Sequence, residues 1–166
     1  MNKKNIGTIK GLFLSVIIVC FSAGALIGCS NSRMNFVVAL QAESNPMGSI
    51  RSIVTSLDDW IDLDFSARDT GLTEKFVELD FRYDKQFFSN NALIVFTFGA
   101  PNGGIRINEI QLRKVDNEIK LEVNFETGLT ERISHGIVIL EINNEFISEN
   151  TTLNAIAIRK ELIFNK

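Results

Sequence analysis

Histidine occurs once in the 166 residues, at His135, and cysteine twice, at Cys20 and Cys29. A lone histidine excludes multi-histidine metal sites and makes any Ser-His-Asp triad depend on that one position. Its neighbour Ser134 is no ready partner, because adjacent residues on a strand point to opposite faces, so His135 is expected to be structural or at the surface. Beyond Cys29 there is no cysteine at all. The chain that follows therefore has neither a disulfide nor a thiol for catalysis, and its stability must come from packing.

Acidic residues are absent from the first 28 positions, which open with Lys3, Lys4 and Lys10 and then run apolar and small from Gly11 to Gly28. That is the charge layout of an export signal. The run ends in Leu26, Ile27, Gly28 and Cys29, which resembles the lipobox of bacterial lipoproteins, read by a lipidating transferase and the type II signal peptidase. The chemistry requires cysteine, since a thiolate can be alkylated to a thioether and cleavage before it frees an amine for acylation. Each buried methylene contributes about 0.8 kcal/mol, and two or more chains hold a protein stably where one binds only marginally. The competing reading is an uncleaved transmembrane anchor, the run being close to the roughly 17-residue lower limit for spanning a bilayer. Such a helix has no need to end in this cysteine context. The expected organisation is a signal over 1–28, a short polar tether over 29–35 headed by lipidated Cys29, and one domain over 36–166 on the extracytoplasmic face of a membrane.

Removal of residues 1–28 takes away three lysines and no acid, so 17 basic and 20 acidic residues become 14 and 20. A net charge of about minus six lacks the basic footprint that phosphate binding needs, which argues against nucleic acid as a partner and equally against a polybasic membrane patch.

The pattern beyond the tether is that of a mainly β (α+β) domain, an antiparallel sheet or small sandwich with one or two short helices. Phe36 to Leu40 reads as an apolar strand, Ser44 to Ser49 as a loop, and Ile50 to Thr55 as a second short strand. Leu57, Trp60, Ile61 and Phe65 then fall at helical spacing, with Ser56 and Asp59 placed as a capping box. Leu72 to Leu79 fits either a helical turn or irregular chain. Asp84 reads as the cap of one turn that inserts Phe87 and Phe88 beneath the sheet. Everything after Asn90 has the look of antiparallel sheet. Leu93 to Phe98 suits a central strand, Pro101 to Gly104 a turn, and the phase change between Ile107 and Ile110 a bulge near Asn108 and Glu109. Asp116 and Asn117 mark a hairpin. Ile119, Leu121, Val123 and Phe125 alternate with polar residues, one face core and the other solvent, and Ile137 to Ile142 and Ala155 to Ile158 continue the pattern.

No constellation reads more readily as chemistry than as structure. Asp58, Asp59, Asp62, Asp64 and Asp69 invite calcium, but Ala67 stands where the calcium loop needs glycine and no glutamate follows at its twelfth position. Carboxylates at a helix start explain most of them. Asn102, Gly103 and Gly104 offer backbone amides for an anion, although a Gly pair between strands is normally a hairpin turn. Phe76, Phe81, Tyr83, Phe87 and Phe88 are expected to be core rather than the lining of a groove, as Phe is mostly buried in ordinary domains.

YDKQFFSNNALIV from Tyr83 to Val95, GGIRI from Gly103, HGIVILEI from His135 and the upstream SIRSIVTSLDDW from Ser49 resemble small Gram-positive surface lipoproteins of unknown function. They also resemble the related C-terminal domain of protease-complex subunits of the PrcB type. The resemblance implies a non-catalytic β domain that assists or assembles with another exported protein, and it supplies no catalytic residues. The expectation is thus a membrane-anchored binding or assembly module and not an enzyme, with no metal or cofactor. Its partners would be the membrane through lipid on Cys29 and another envelope protein. The alternative is a lipoprotein that binds a small ligand or the cell wall in a pocket under Phe87 and Phe88.

Overall fold

A computed structural model describes residues 32–44, 48–63, 72–129 and 131–160. Internal contacts divide the chain after Ser30, and the described residues all belong to the second unit, Asn31–Lys166. The elements run β1 (Ser32–Arg33), β2 (Val37–Ser44), β3 (Arg51–Val54), α1 (Leu57–Asp62), α2 (Thr73–Arg82), α3 (Lys85–Phe88), β4 (Asn91–Ala100), β5 (Arg106–Val115), β6 (Glu118–Glu126), β7 (Ser134–Asn143), a 3₁₀ turn (Asn144–Phe146) and β8 (Thr152–Arg159).

The strands form two four-stranded sheets, β1-β5-β6-β8 and β2-β7-β4-β3. Between them lies one core, in which Ile94, Phe96 and Phe98 of β4 and Val138 and Leu140 of β7 meet Leu112, Leu121, Val123 and Phe125 of the first sheet. The other face of the second sheet carries a second core, where Leu93, Val95, Ile137 and Ile139 pack against Trp60, Phe76, Leu79, Tyr83 and Phe88. Three layers result: first sheet, second sheet, helices. Layering explains the two kinds of strand in the sequence. β4 is covered on both faces and reads as a continuous apolar run, whereas β6 is covered on one and alternates.

The domain is a mainly β sandwich, as expected, but several local expectations are corrected. Short helices number three among the described residues, not one or two. The ambiguous segment is α2, whose Leu72, Phe76, Leu79 and Tyr83 form one buried stripe at helical spacing. Within the stretch expected to be a tether, Ser32 and Arg33 pair with Lys114 and Arg113 and Met34 is buried in the first core. The Gly103–Gly104 turn is no hairpin, since β4 and β5 belong to different sheets and the chain crosses between layers there. β8 is not antiparallel either: it lies parallel to β6. It arrives from β7 in the opposite sheet, and only a tight hairpin between neighbours forces antiparallel pairing.

Other signals hold. The bulge falls between Ile107 and Glu109, the Asp116 turn has φ 55° and joins β5 to β6, and Asp84 accepts the Phe87 N–H at 2.7 Å. Ser56 likewise caps α1 by accepting the Asp59 N–H at 3.1 Å, though the Asp59 carboxylate takes the Thr55 hydroxyl at 3.2 Å and so leaves the capping box half made.

Candidate functional site

Leu26, Ile27, Gly28 and Cys29 lie outside the described residues, as do Asp64, Phe65 and Asp69. Among the described residues, no helix is long and apolar enough to cross a membrane.

The remaining sequence candidates are drawn into structural duties. His135 lies on the helix-side face of β7 with its ring against Gly99, while Ser134 points the other way, buried, and donates to Glu43 Oε1 at 2.6 Å. The strand's alternation keeps the two apart. Asp58, Asp59 and Asp62 stay exposed on α1, and no group of three His, Cys, Asp or Glu converges among the described residues. The Gly-rich crossover does present amides to an anion, and the anion is internal. Glu43 accepts the backbone N–H groups of Gly104 and Ile105, the latter at 2.9 Å, together with Arg132 at 3.0 Å. The Ser134 hydroxyl, then these amides and Arg132, hold its carboxyl below the usual glutamate value against the opposing effect of burial.

The aromatic group divides. Phe76, Tyr83 and Phe88 are core, and Tyr83 and Phe87 lie tilted to one another at 4.7 Å with Phe87 and Phe88 edge-on at 5.1 Å. The rings pack on one another beneath the second sheet, as expected of core residues. Trp60 meets the Tyr83 ring edge-on at 5.0 Å and donates from Nε1 to Asp80 at 2.9 Å. The Tyr83 hydroxyl donates to Glu141 Oε1 at 3.0 Å, and Arg82 clasps Oε2 of the same carboxylate at 2.7 Å. Burial, and then the Glu141 charge, push the phenol far above its ordinary pKa, so it remains a neutral donor. Phe81 is the exception at 85 % exposed, and Val77, one turn before it, is 49 % exposed.

The same layer borders an open strand edge. β2 is a terminal strand, hydrogen-bonded within the described residues only to β7. Its eight residues make it twice as long as β3, the opposite edge. Val37 and Val38 stand 57 % and 41 % exposed at its start. Beside it runs a groove of about 510 Å³ between Val38, Leu40 and Gln41 and, on α2, Lys75, Glu78 and Arg82. A register shift between Val38 and Leu40 bulges the edge, a device that discourages uncontrolled strand pairing. An unpaired edge with an adjoining cleft has the chemistry of strand addition: backbone groups supply affinity and the cleft selects side chains.

Sequence reasoning missed Glu43, Glu141, Lys75 and the free edge of β2. One signal was present. Val77 and Phe81 sit roughly 130° and 170° from the centre of the stripe that ends in Tyr83, a position where an apolar residue has no core to enter. Compared with protein-family models, curated proteins and solved structures, the chain has no match.

Proposed function

We propose that this protein is a lipid-anchored, non-catalytic module that holds another exported protein through the β2 edge and the groove beside α2. The observation that carries the reading is the long unpaired edge with exposed Val37 and Val38 at its start. Apolar residues at a strand edge are a liability unless something covers them. The groove wall pairs the apolar Leu40 and Leu79 with the charged Lys75 and Glu78, a mixture suited to an extended segment with alternating side chains. The lipobox at Leu26 to Cys29 supports the location, and the likeness to PrcB-type subunits supports an assembly role.

Two measurements test it. The intact mass of the chain purified from membranes should show diacylglycerol on an N-terminal Cys29, and an unmodified Cys29 still joined to Gly28 removes the anchor reading. An epitope-tagged full chain should co-purify an exported protein that Val38→Asp loses while its circular dichroism stays native. Repeated recovery of no partner, or equal recovery by the variant, refutes the module.

A further inference from the structure

We infer that the outward face of the first sheet rests on anionic phospholipid headgroups, with Arg33, Arg113 and Lys120 as its phosphate contacts. The inference rests on the lipid-anchor reading above. Its starting point is the register: Arg33 is the Cα partner of Arg113 across β1 and β5, and Arg113 is the partner of Lys120 across β5 and β6. Directly opposed residues share a face with Cβ atoms about 4.5–5.5 Å apart. That face is the outer one, because Leu112, Ile119 and Leu121, the strand neighbours of these cations, are buried in the core. Three exposed cations therefore stand in one line across three strands.

Like charges directly opposite one another destabilise a sheet, so the fold gains nothing from this row. The same face also carries Glu109, Glu118 and Glu122, and of the three cations only Lys120 is paired with one of them. Glu118 meets Lys120 at 3.3 Å, Glu109 takes Gln111, Asn124 and the Lys160 ammonium at 3.8 Å, and Glu122 takes Asn124 at 3.2 Å. Arg113 donates to the neutral Gln111, and among the described residues neither Arg33 nor Arg113 has an ion pair. Two guanidinium groups remain unneutralised at the β1–β5 edge. Beside them a hollow of about 170 Å³ opens, lined by Arg113 and Lys120 and also by Gln111, Glu122, Asn154 and Ile156. Guanidinium forks match phosphate oxygens, and lysine adds a point charge.

The chain itself brings this edge to the membrane. Ser30 and Asn31 alone separate Cys29 from Ser32, and at about 3.3–3.6 Å per residue the link spans at most about 11 Å. Arg33 is the next residue. The acidity of the rest of the domain does not oppose the contact, because charges farther than about 8–10 Å are screened at physiological salt; the glutamates on the face itself do oppose it, and the local concentration supplied by the covalent anchor offsets them. The groove beside α2 belongs to the layer beyond the second sheet, so it is turned away from the bilayer and toward an envelope partner.

The mature lipidated chain, whose only cysteine is blocked by lipid, accepts a single dye through Asn154→Cys on the proposed contact face or Phe81→Cys on the helix layer. Each is reconstituted in phosphatidylcholine vesicles with or without phosphatidylglycerol, with a headgroup-depth quencher. Quenching at position 154 should exceed that at position 81 several-fold when phosphatidylglycerol is present, and should fall at high salt. It should also fall in an Arg33→Gln, Arg113→Gln background, by about fivefold in face occupancy per cation removed. Equal quenching at the two positions, or quenching at 154 that ignores lipid charge, overturns the contact and leaves the anchor standing. A mass without diacylglycerol on Cys29 removes the anchor and the contact together.

Discussion

Glu43→Gln is the perturbation that best tests how the sandwich is tied together. The Glu43 carboxylate at the end of β2 reaches three separate segments: Gly104 and Ile105 in the crossover, Arg132 in the loop before β7, and Ser134 at its start. Hydrogen bonds to a charged group contribute about 1.5–3 kcal/mol each. The Arg132 contact adds little, since that side chain is 66 % exposed and solvent screens the pair. The bonds from buried Ser134 and from Ile105 remain, weakened because Glu43 is itself 21 % exposed and an amide keeps one acceptor oxygen. A loss of about 1–3 kcal/mol is expected at neutral pH, or roughly 3–10 °C in Tm for a domain of this size. The pH dependence fixes the cause. A carboxyl held below its ordinary value of 4.5 contributes stability that is complete above its unfolded-state pKa and is lost as pH falls through its folded-state pKa. Thermal unfolding of the two proteins should therefore differ at neutral pH and converge as pH falls through the lowered folded-state value of Glu43. A gap that persists unchanged in acid, or one below about 0.5 kcal/mol at neutral pH, refutes the assignment to the ionised carboxylate.

Gly136→Ala should destabilise the domain by about 1–3 kcal/mol or more in urea unfolding, because a Cβ there would lie 2.2 Å from Cζ of the Phe98 ring. Tyr83→Phe removes the hydroxyl that reaches the largely buried Glu141 and should lower the unfolding free energy by about 1.5–3 kcal/mol. Asp84→Ala removes the cap of α3 at a cost of about 1 kcal/mol, visible as a lower denaturation midpoint. Arg113→Gln should act in the opposite direction. By relieving like-charge opposition it should raise stability by about 0.2–1 kcal/mol while reducing vesicle contact, and a loss of stability would show that the row serves the fold.

Local structure was legible wherever it depends on neighbours in sequence. The Asp84 cap, the Asp116 turn, the bulge after Ile107 and the alternation of β6 each rest on a few adjacent residues and on one covered face. Long-range placement was not. The Gly103–Gly104 segment carries the composition of a hairpin, but composition does not say whether the next strand returns to the same sheet or enters another. For the same reason nothing local distinguishes the parallel β8 from an antiparallel one. Phe81 and Phe88 are chemically identical, and only their angular positions against the packed layers leave one exposed and the other buried.

The sequence by itself determined the mainly β class, the caps and turns, the lack of any thiol beyond Cys29, and the lipobox expectation. These are matters of composition, periodicity and short motifs. Tertiary structure alone decided the three layers, the free edge of β2, the carboxylate at Glu43 that joins three segments, and the alignment of Arg33, Arg113 and Lys120. Net charge is a sum over residues and carries no position, so an acidic chain can still present a line of cations. Pairing register is a property of two strands at once, and it is the register that brought those three residues onto one face.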